Sequence, residues 1–273
     1  MSEASNRRPR LDTMSGTGEN IDWADLRFDG EVVIVTGASS GLGAQFARAL
    51  SAAGARVVLA ARRSDRLHEL RASLGESSVV QCDVSVDADR RRLLDRTLSA
   101  YGRVDGLVNN AGTFGHRTAL HEEIEDFRRV LDVNLVAPFA LACGVARVMR
   151  RAGGGAIVNV TSTVALKSLA WTPLASYVAS KAGLAGLTRE LATQWGRYGI
   201  RVNAIAPGPF VSEMSGNNYV AGPLAARVQN DVPLRRAGFA GELNTPLLLL
   251  LHPVGRYITG QMFAVDGGLS IAG

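Results

Sequence analysis

Glu31-Val32-Val33-Ile34-Val35-Thr36 is a short apolar run, and it leads without a break into Gly37-Ala38-Ser39-Ser40-Gly41-Leu42-Gly43. An alanine-rich segment follows and ends near Gly54. A β-branched run of this length reads as a buried strand. The whole stretch therefore reads as strand, glycine-rich turn and helix. Gly37 permits the tight turn, Gly41 lets backbone approach a pyrophosphate, and Gly43 lets the helix pack on the strand. The helix would face the phosphates with free N–H groups and its positive end. A glycine pattern alone is weak, but the strand before it and the helix after it supply the confirming context. The spacing is Gly-x-x-x-Gly-x-Gly, not the commoner Gly-x-Gly-x-x-Gly.

The rest of the chain repeats this rhythm. Buried strands are expected at 55–61, 78–81, 104–108, 156–160, 201–205 and 261–265. Helices are expected at 64–74, with Ser64 as N-cap, and at 86–101, 175–197 and 240–251. Residues 124–151 read as one or two helices carrying Asn134, with a bend at Pro138. Strands alternating with helices imply right-handed βαβ units and a parallel sheet. The fold class is thus α/β, a doubly wound parallel sheet with helices on both faces. Residues 210–238 are irregular, with Gly216-Asn217-Asn218 and Gly222-Pro223 breaks, which is how a lid often looks.

Ser176-Tyr177-Val178-Ala179-Ser180-Lys181 opens the 175–197 helix. Residues four apart share a helix face, so Tyr177 and Lys181 point the same way. A tyrosine is a poor acid or base near neutrality, and a nearby ammonium lowers its pKa. The pair is a plausible proton donor and acceptor, although an ordinary amphipathic helix could carry the same two residues by accident. Composition sharpens the point. Of 30 basic residues only Lys167 and Lys181 are lysines, and arginine's planar fork does not replace a compact ammonium.

Taken together, Thr36-Gly37-x-x-x-Gly41-x-Gly43, Asn109-Asn110-Ala111-Gly112, Asn134, Ser162, Tyr177-x-x-x-Lys181 and Pro207-Gly208 occur in the order of one family. From about Phe28 onward the chain resembles the single-domain short-chain dehydrogenases/reductases. The likeness is to gluconate dehydrogenase-like and 3-oxoacyl carrier-protein reductase-like members. The resemblance implies a Rossmann fold of roughly seven strands and hydride transfer between NADP(H) and a ketone or secondary alcohol. In it Tyr177 is the general acid or base, Lys181 lowers its pKa and bonds the nicotinamide ribose, Ser162 holds the substrate oxygen, and Asn134 anchors a water leading from Lys181. Ser39, Ser40 and Leu42 would lie with the turn glycines along the cofactor, as would Asn110, Ala111 and Gly112. Asp83 and Val84 would border the adenine. Pro207, Gly208 and Ser212 would pass beside the nicotinamide. The resemblance also implies a homotetramer or homodimer, for which the apolar runs 135–146 and 184–192 could serve, though they could also face the sheet.

Cofactor choice rests on the end of the second strand. An enzyme for NAD(H) typically places an acid there for the ribose 2′-hydroxyl, and an arginine accommodates a 2′-phosphate. Here Ala61 is followed by Arg62, so NADP(H) is favoured, with NAD(H) as the alternative; Arg63 could assist or be solvated. Substrate is less legible. Val164, Leu166, Trp171, Phe210, Met214 and Tyr219 could make an apolar pocket suited to a cyclic or aromatic ketone, and His116 could touch it. Arg147, Arg150 and Arg151 could form a patch for a carrier protein, or simply an exposed helix end. Three features depart from the family: a longer loop of 14 residues between Ser162 and Tyr177, Ser212 in place of a threonine, and no proline-acid start in Glu242-Leu243-Asn244-Thr245-Pro246.

The totals bound the remaining classes. Two cysteines, Cys82 and Cys143, with four histidines make neither a disulfide framework nor a metal cluster, which fits a reduced, cytoplasmic setting. The net charge of +5 is spread among interleaved arginines and acids, and no nucleic-acid motif accompanies it. The leucine run 247–251 is too short to span a bilayer. Residues 1–28 read as a disordered extension and 29–273 as one domain. Arg7-Arg8-Pro9-Arg10 has no apolar stretch behind it to make a signal, and Met14 is a second conceivable start. Two other readings stay open on the same scaffold: an NADP-sensing protein without catalysis, and a non-redox dehydratase or epimerase.

Overall fold

The computed structural model describes residues 26–115, 117–171, 173–213 and 215–272. Residues 1–25, His116 and Met214 lie outside the described residues, and with them Met14, the Arg7–Arg10 run and two of the expected pocket contacts.

Seven parallel strands form one sheet in the order β3-β2-β1-β4-β5-β6-β7. They are β1 (Val32–Thr36), β2 (Arg56–Ala61), β3 (Ser77–Gln81), β4 (Gly106–Asn109), β5 (Gly155–Val160), β6 (Ile200–Pro207) and β7 (Met262–Val265). The helices are α1 (Gly41–Ala52), α2 (Ser64–Arg71), α3 (Asp87–Tyr101), α4 (Ile124–Leu131), α5 (Ala137–Ala152), α6 (Ala175–Trp195), α7 (Ala225–Asp231) and α8 (Asn244–Leu251). Continuous apolar strands arise because both faces are covered. In β1, Val33 and Val35 join Phe46, Leu50, Leu247 and Leu250 in one core layer. Val32 and Ile34 point the other way, to Leu93, Leu141, Met149 and Leu191. The strand order reverses between β1 and β4, and ligands of such sheets bind in the crevice at that point.

Several local expectations are corrected. Phe28 is fully buried and its N–H bonds the Ala53 carbonyl at 2.8 Å, so the packed body begins before residue 29. Ser64 is the first helical residue of α2, not its N-cap, and that helix stops at Arg71. The break in 124–152 is a π-helical turn at Asp132–Val136 carrying Asn134. Pro138 sits in the first turn of α5, directly after that π turn, in which Ala137 N donates to Asp132 O. Within 210–238 the structure holds one short helix, α7. The missing acid near α8 is found one turn earlier. Glu242 accepts from Phe239 N at 2.8 Å and pairs with Arg236.

The apolar runs offered for self-association mostly face inward: Leu141, Val145, Leu184 and Leu191 are buried, and Val136 and Phe139 are the ones left exposed. The stretch Ile124–Ala152 is long and apolar enough to cross a membrane by length and composition, but Ala137, Leu141, Val145 and Met149 pack it onto the sheet. Arg150 is engaged in packing too, 4.4 Å from the centre of the Tyr198 ring.

Candidate active site

Tyr177 is the third residue of α6 and Lys181 lies one turn on. Both face a cavity of about 830 Å³ beyond the C-terminal ends of β1, β4, β5 and β6. Ser162, just past β5, is extended, accepts from Val164 N at 3.4 Å and hydrogen-bonds the Tyr177 hydroxyl. Phe114 packs edge-on against the Tyr177 ring at 6.3 Å. The Lys181 ammonium is buried, lies 5.5 Å from the centre of that ring and donates to the Val160 carbonyl at 2.8 Å.

The proton affinities differ from the sequence expectation. Burial pushes the Tyr177 hydroxyl up to about 12, the Ser162 hydrogen bond pulls it back, and Tyr219 adds to the rise. Burial brings Lys181 itself down to about 8. This gives a test. Unfolded, Lys181 returns to an ordinary value near 10.4, so between pH 8 and that value the unfolded chain binds more protons. Stability then rises with pH. The buried charge costs most below pH 8. We expect the melting-temperature gap between wild type and Lys181→Met to shift in favour of wild type from pH 8 to 10. A flat difference would mean that Lys181 is not dehydrated in the fold.

Two polar side chains hold this constellation and escaped the sequence reading. Leu174, at the N-cap of α6, has no side-chain acceptor. Glu122 supplies one from a distant loop, accepting from Ser176 N at 3.3 Å and from Ser176 Oγ. A carboxylate there also meets the positive end of the helix. Ser180 takes part as well, donating to the Tyr177 carbonyl at 2.7 Å.

Asn134 lies one layer behind the cavity wall. It is fully buried and does not line the cavity. Its Oδ1 accepts from Thr113 N at 2.8 Å, and its Nδ2 donates to Thr113 O at 2.7 Å and Ser180 Oγ at 3.0 Å. The amide is thus spent on fixing the loop after β4. A Cβ on Gly112 would lie 3.4 Å from Asn134 Oδ1 and 3.6 Å from Lys181 Nζ, which leaves a polar gap between them.

The other end of the cavity fits a dinucleotide. Gly37, Ser39, Ser40, Gly41, Leu42 and Gly43 line it, as do Arg62, Asp83 and Val84. Asn110, Ala111, Gly112, Pro207, Gly208 and Ser212 complete the wall, so every cofactor contact named from the sequence lies on this cavity. Ser40 makes no side-chain cap of α1, which leaves the first N–H groups of that helix for an anion. The glycines are required. A Cβ on Gly43 would stand 2.3 Å from Gly37 O, and Gly37 has a φ of 66°. Asn110 ties the turn to β4 by donating from Nδ2 to the Thr36 carbonyl at 2.9 Å.

Arg62 and Arg63 separate in the structure. The Arg62 guanidinium is exposed and unpaired among the described residues. Arg63 folds over the glycine turn to Ser39, Ser40 and Glu213, the last in a bidentate pair at 2.7 and 2.8 Å. Around the Tyr177 end the wall is apolar: Phe114, Val164, Leu169, Trp171, Tyr219 and Leu269 line it, and Phe210 does too. Leu166 turns out to solvent. Cys82 borders the other end, and burial pushes its thiol up to about 11, away from nucleophilic use. No group of metal-binding side chains forms among the described residues.

Comparison with known proteins agrees with this geometry. Residues 37–270 match the family model described as enoyl-(acyl carrier protein) reductase. The chain is 34% identical over 251 residues to D-threitol dehydrogenase of Mycolicibacterium smegmatis, covering 90% of this chain and 95% of that protein. A gluconate 5-dehydrogenase from Burkholderia cenocepacia, solved with NADP and tartrate, superposes with a TM-score of 0.85 at 31% identity, covering 91% of this chain and 98% of that one. A 7α-hydroxysteroid dehydrogenase solved with NADH and 7-oxo glycochenodeoxycholic acid superposes with a TM-score of 0.86 at 31% identity, over 91% of this chain and 97% of that one. With its glycine turn, its Tyr177–Lys181 pair and matches across nearly its whole described length, the chain belongs to the short-chain dehydrogenase/reductase family of oxidoreductases.

Proposed function

We propose that the protein reduces an uncharged cyclic or aromatic ketone with NADPH. The observation that carries this is the layout of one cavity. Ser162, Tyr177 and Lys181 meet at an apolar end, while the glycine turn and Arg62 stand at the other. The bound nicotinamide would supply the hydride. The chain's own residues do the rest. The Tyr177 hydroxyl gives its proton to the substrate oxygen as that oxygen gains charge, and the Ser162 hydroxyl is a second donor to it. Lys181, fixed by the Val160 carbonyl, places a positive charge behind both. Burial keeps Tyr177 protonated at neutral pH, the state from which a proton is given to the substrate oxygen.

The apolar residues Phe114, Val164, Leu169, Trp171, Tyr219 and Leu269 near Tyr177 support a nonpolar ring over a sugar acid. The Arg62 guanidinium, unpaired among the described residues, with Ala61 where an acid would serve NAD(H), supports a 2′-phosphate through charge-assisted bonds. Loss of NADPH absorbance should be fast with cyclic and aromatic ketones and at least about tenfold slower with keto-sugar acids, a difference of about 1.4 kcal/mol in transition-state binding. Equal rates with both classes, or a faster reaction with NADH, would overturn the corresponding half of the proposal.

A further inference from the structure

The Arg63–Glu213 pair stands where a cofactor phosphate would be read, and the cofactor reading above does not use it. Arg63 leaves the end of β2 next to Arg62. Its guanidinium donates to Glu213 Oε1 at 2.7 Å and Oε2 at 2.8 Å, to Ser40 Oγ at 2.7 Å and to Ser39 Oγ at 3.1 Å. Ser40 also hydrogen-bonds Glu213. The carboxylate arrives from the segment after β6, whose backbone lies on the glycine turn: a Cβ on Gly41 would be 3.6 Å from Ser212 Cβ and 3.9 Å from Glu213 N. An anion thus sits on a fork of donors and two hydroxyls, between the turn and the strand end where the adenosine ribose belongs.

Those donors suit a phosphate as well as a carboxylate, since a guanidinium binds either through paired N–H bonds. Two anions cannot share them. We propose that Glu213 is a resident substitute for the 2′-phosphate of NADP(H): a cofactor carrying that phosphate displaces it from Arg63, Ser39 and Ser40, and NAD(H) leaves it in place. Glu213 then sets how strongly the protein discriminates between the two cofactors. The tie is weak enough to be exchanged. Its side chains are 45% and 55% exposed, and pairs of that kind shift an equilibrium by roughly fivefold at most. A phosphate carries more charge and three acceptor oxygens.

The inference rests on the NADP(H) reading, and the test separates the two. Isothermal titration of the full chain with 2′,5′-ADP and with 5′-AMP isolates the 2′-phosphate from the rest of the cofactor. Glu213→Gln, which keeps the shape and removes the charge, should tighten 2′,5′-ADP about three- to fivefold and move 5′-AMP less than twofold. Arg63→Gln should weaken 2′,5′-ADP about tenfold, again sparing 5′-AMP. If Glu213→Gln leaves the ratio of the two affinities unchanged or lowers it, Glu213 does not compete. If Arg63→Gln leaves that ratio unchanged, Arg63 is not what they compete for. The wild-type ratio judges the cofactor reading by itself. A value near one would count against NADP(H) preference, and a rise on Glu213→Gln would still support the competition.

Discussion

Tyr177→Phe is expected to lower kcat by about a hundredfold to ten-thousandfold, the range that a positioned general acid contributes. The phenyl ring keeps its edge-on contact with Phe114. Ser162 keeps its bond from Val164 N. The variant loses one side-chain hydrogen bond, worth about 1 kcal/mol, so it should remain folded. The hydroxyl faces the cavity beside the substrate end, not the glycine turn, so cofactor affinity by fluorescence titration should stay within about twofold. Because the proton is needed in the transition state and not in the ground state, kcat and kcat/KM should fall together. Turnover within a few-fold of wild type, with the variant folded, would remove Tyr177 from the chemistry.

Asn134→Ala has the second large effect, and it falls on stability. The amide makes three bonds in a fully buried position, two to the Thr113 backbone and one to Ser180. Truncation takes the partner from the half-buried Thr113 N–H and carbonyl and from the buried Ser180 hydroxyl, and opens a small cavity in a fully buried position. Each buried group left unpaired costs about 1–3 kcal/mol. A total of ~3 kcal/mol or more corresponds to a melting temperature lower by roughly 6–12 °C in a chain of this size. Catalysis should fall too, since the loop carrying Gly112 and Thr113 loses its anchor beside Lys181. Differential scanning calorimetry distinguishes this from a purely catalytic role: a variant that melts within about 2 °C of wild type but turns over slowly would show that the amide serves the reaction and not the loop.

The two cases also show which parts of the molecule were readable from the chain. The glycine turn and the Tyr177–Lys181 pair are local patterns: strand, turn and helix follow one another directly, and one helical turn separates the pair. Val32 to Val35 shows both faces buried simply by being apolar throughout. Asn134 was nameable as a residue but not placeable, because a π turn inserts no marker into the apolar period. Contacts between distant segments were silent. Arg63 and Glu213 are 150 positions apart and Glu122 and Ser176 are 54 apart, and nothing in either neighbourhood announces the other. The proton affinities of Tyr177 and Lys181 depended on burial, which tertiary packing alone decides.

The bond from Glu122 to the start of α6 bears on attempts to redirect this scaffold toward new molecules. The loop between β4 and α4 forms part of the pocket wall through Phe114, which makes it an obvious segment to exchange with a relative's. That same loop supplies the cap that steadies the helix carrying the proton donor. A graft chosen for its contacts with a new ring, but lacking an acid at the position of Glu122, would loosen the machinery it was meant to serve. In such chimeras, recognition and reactivity would change together, and a selection for one would have to carry the other.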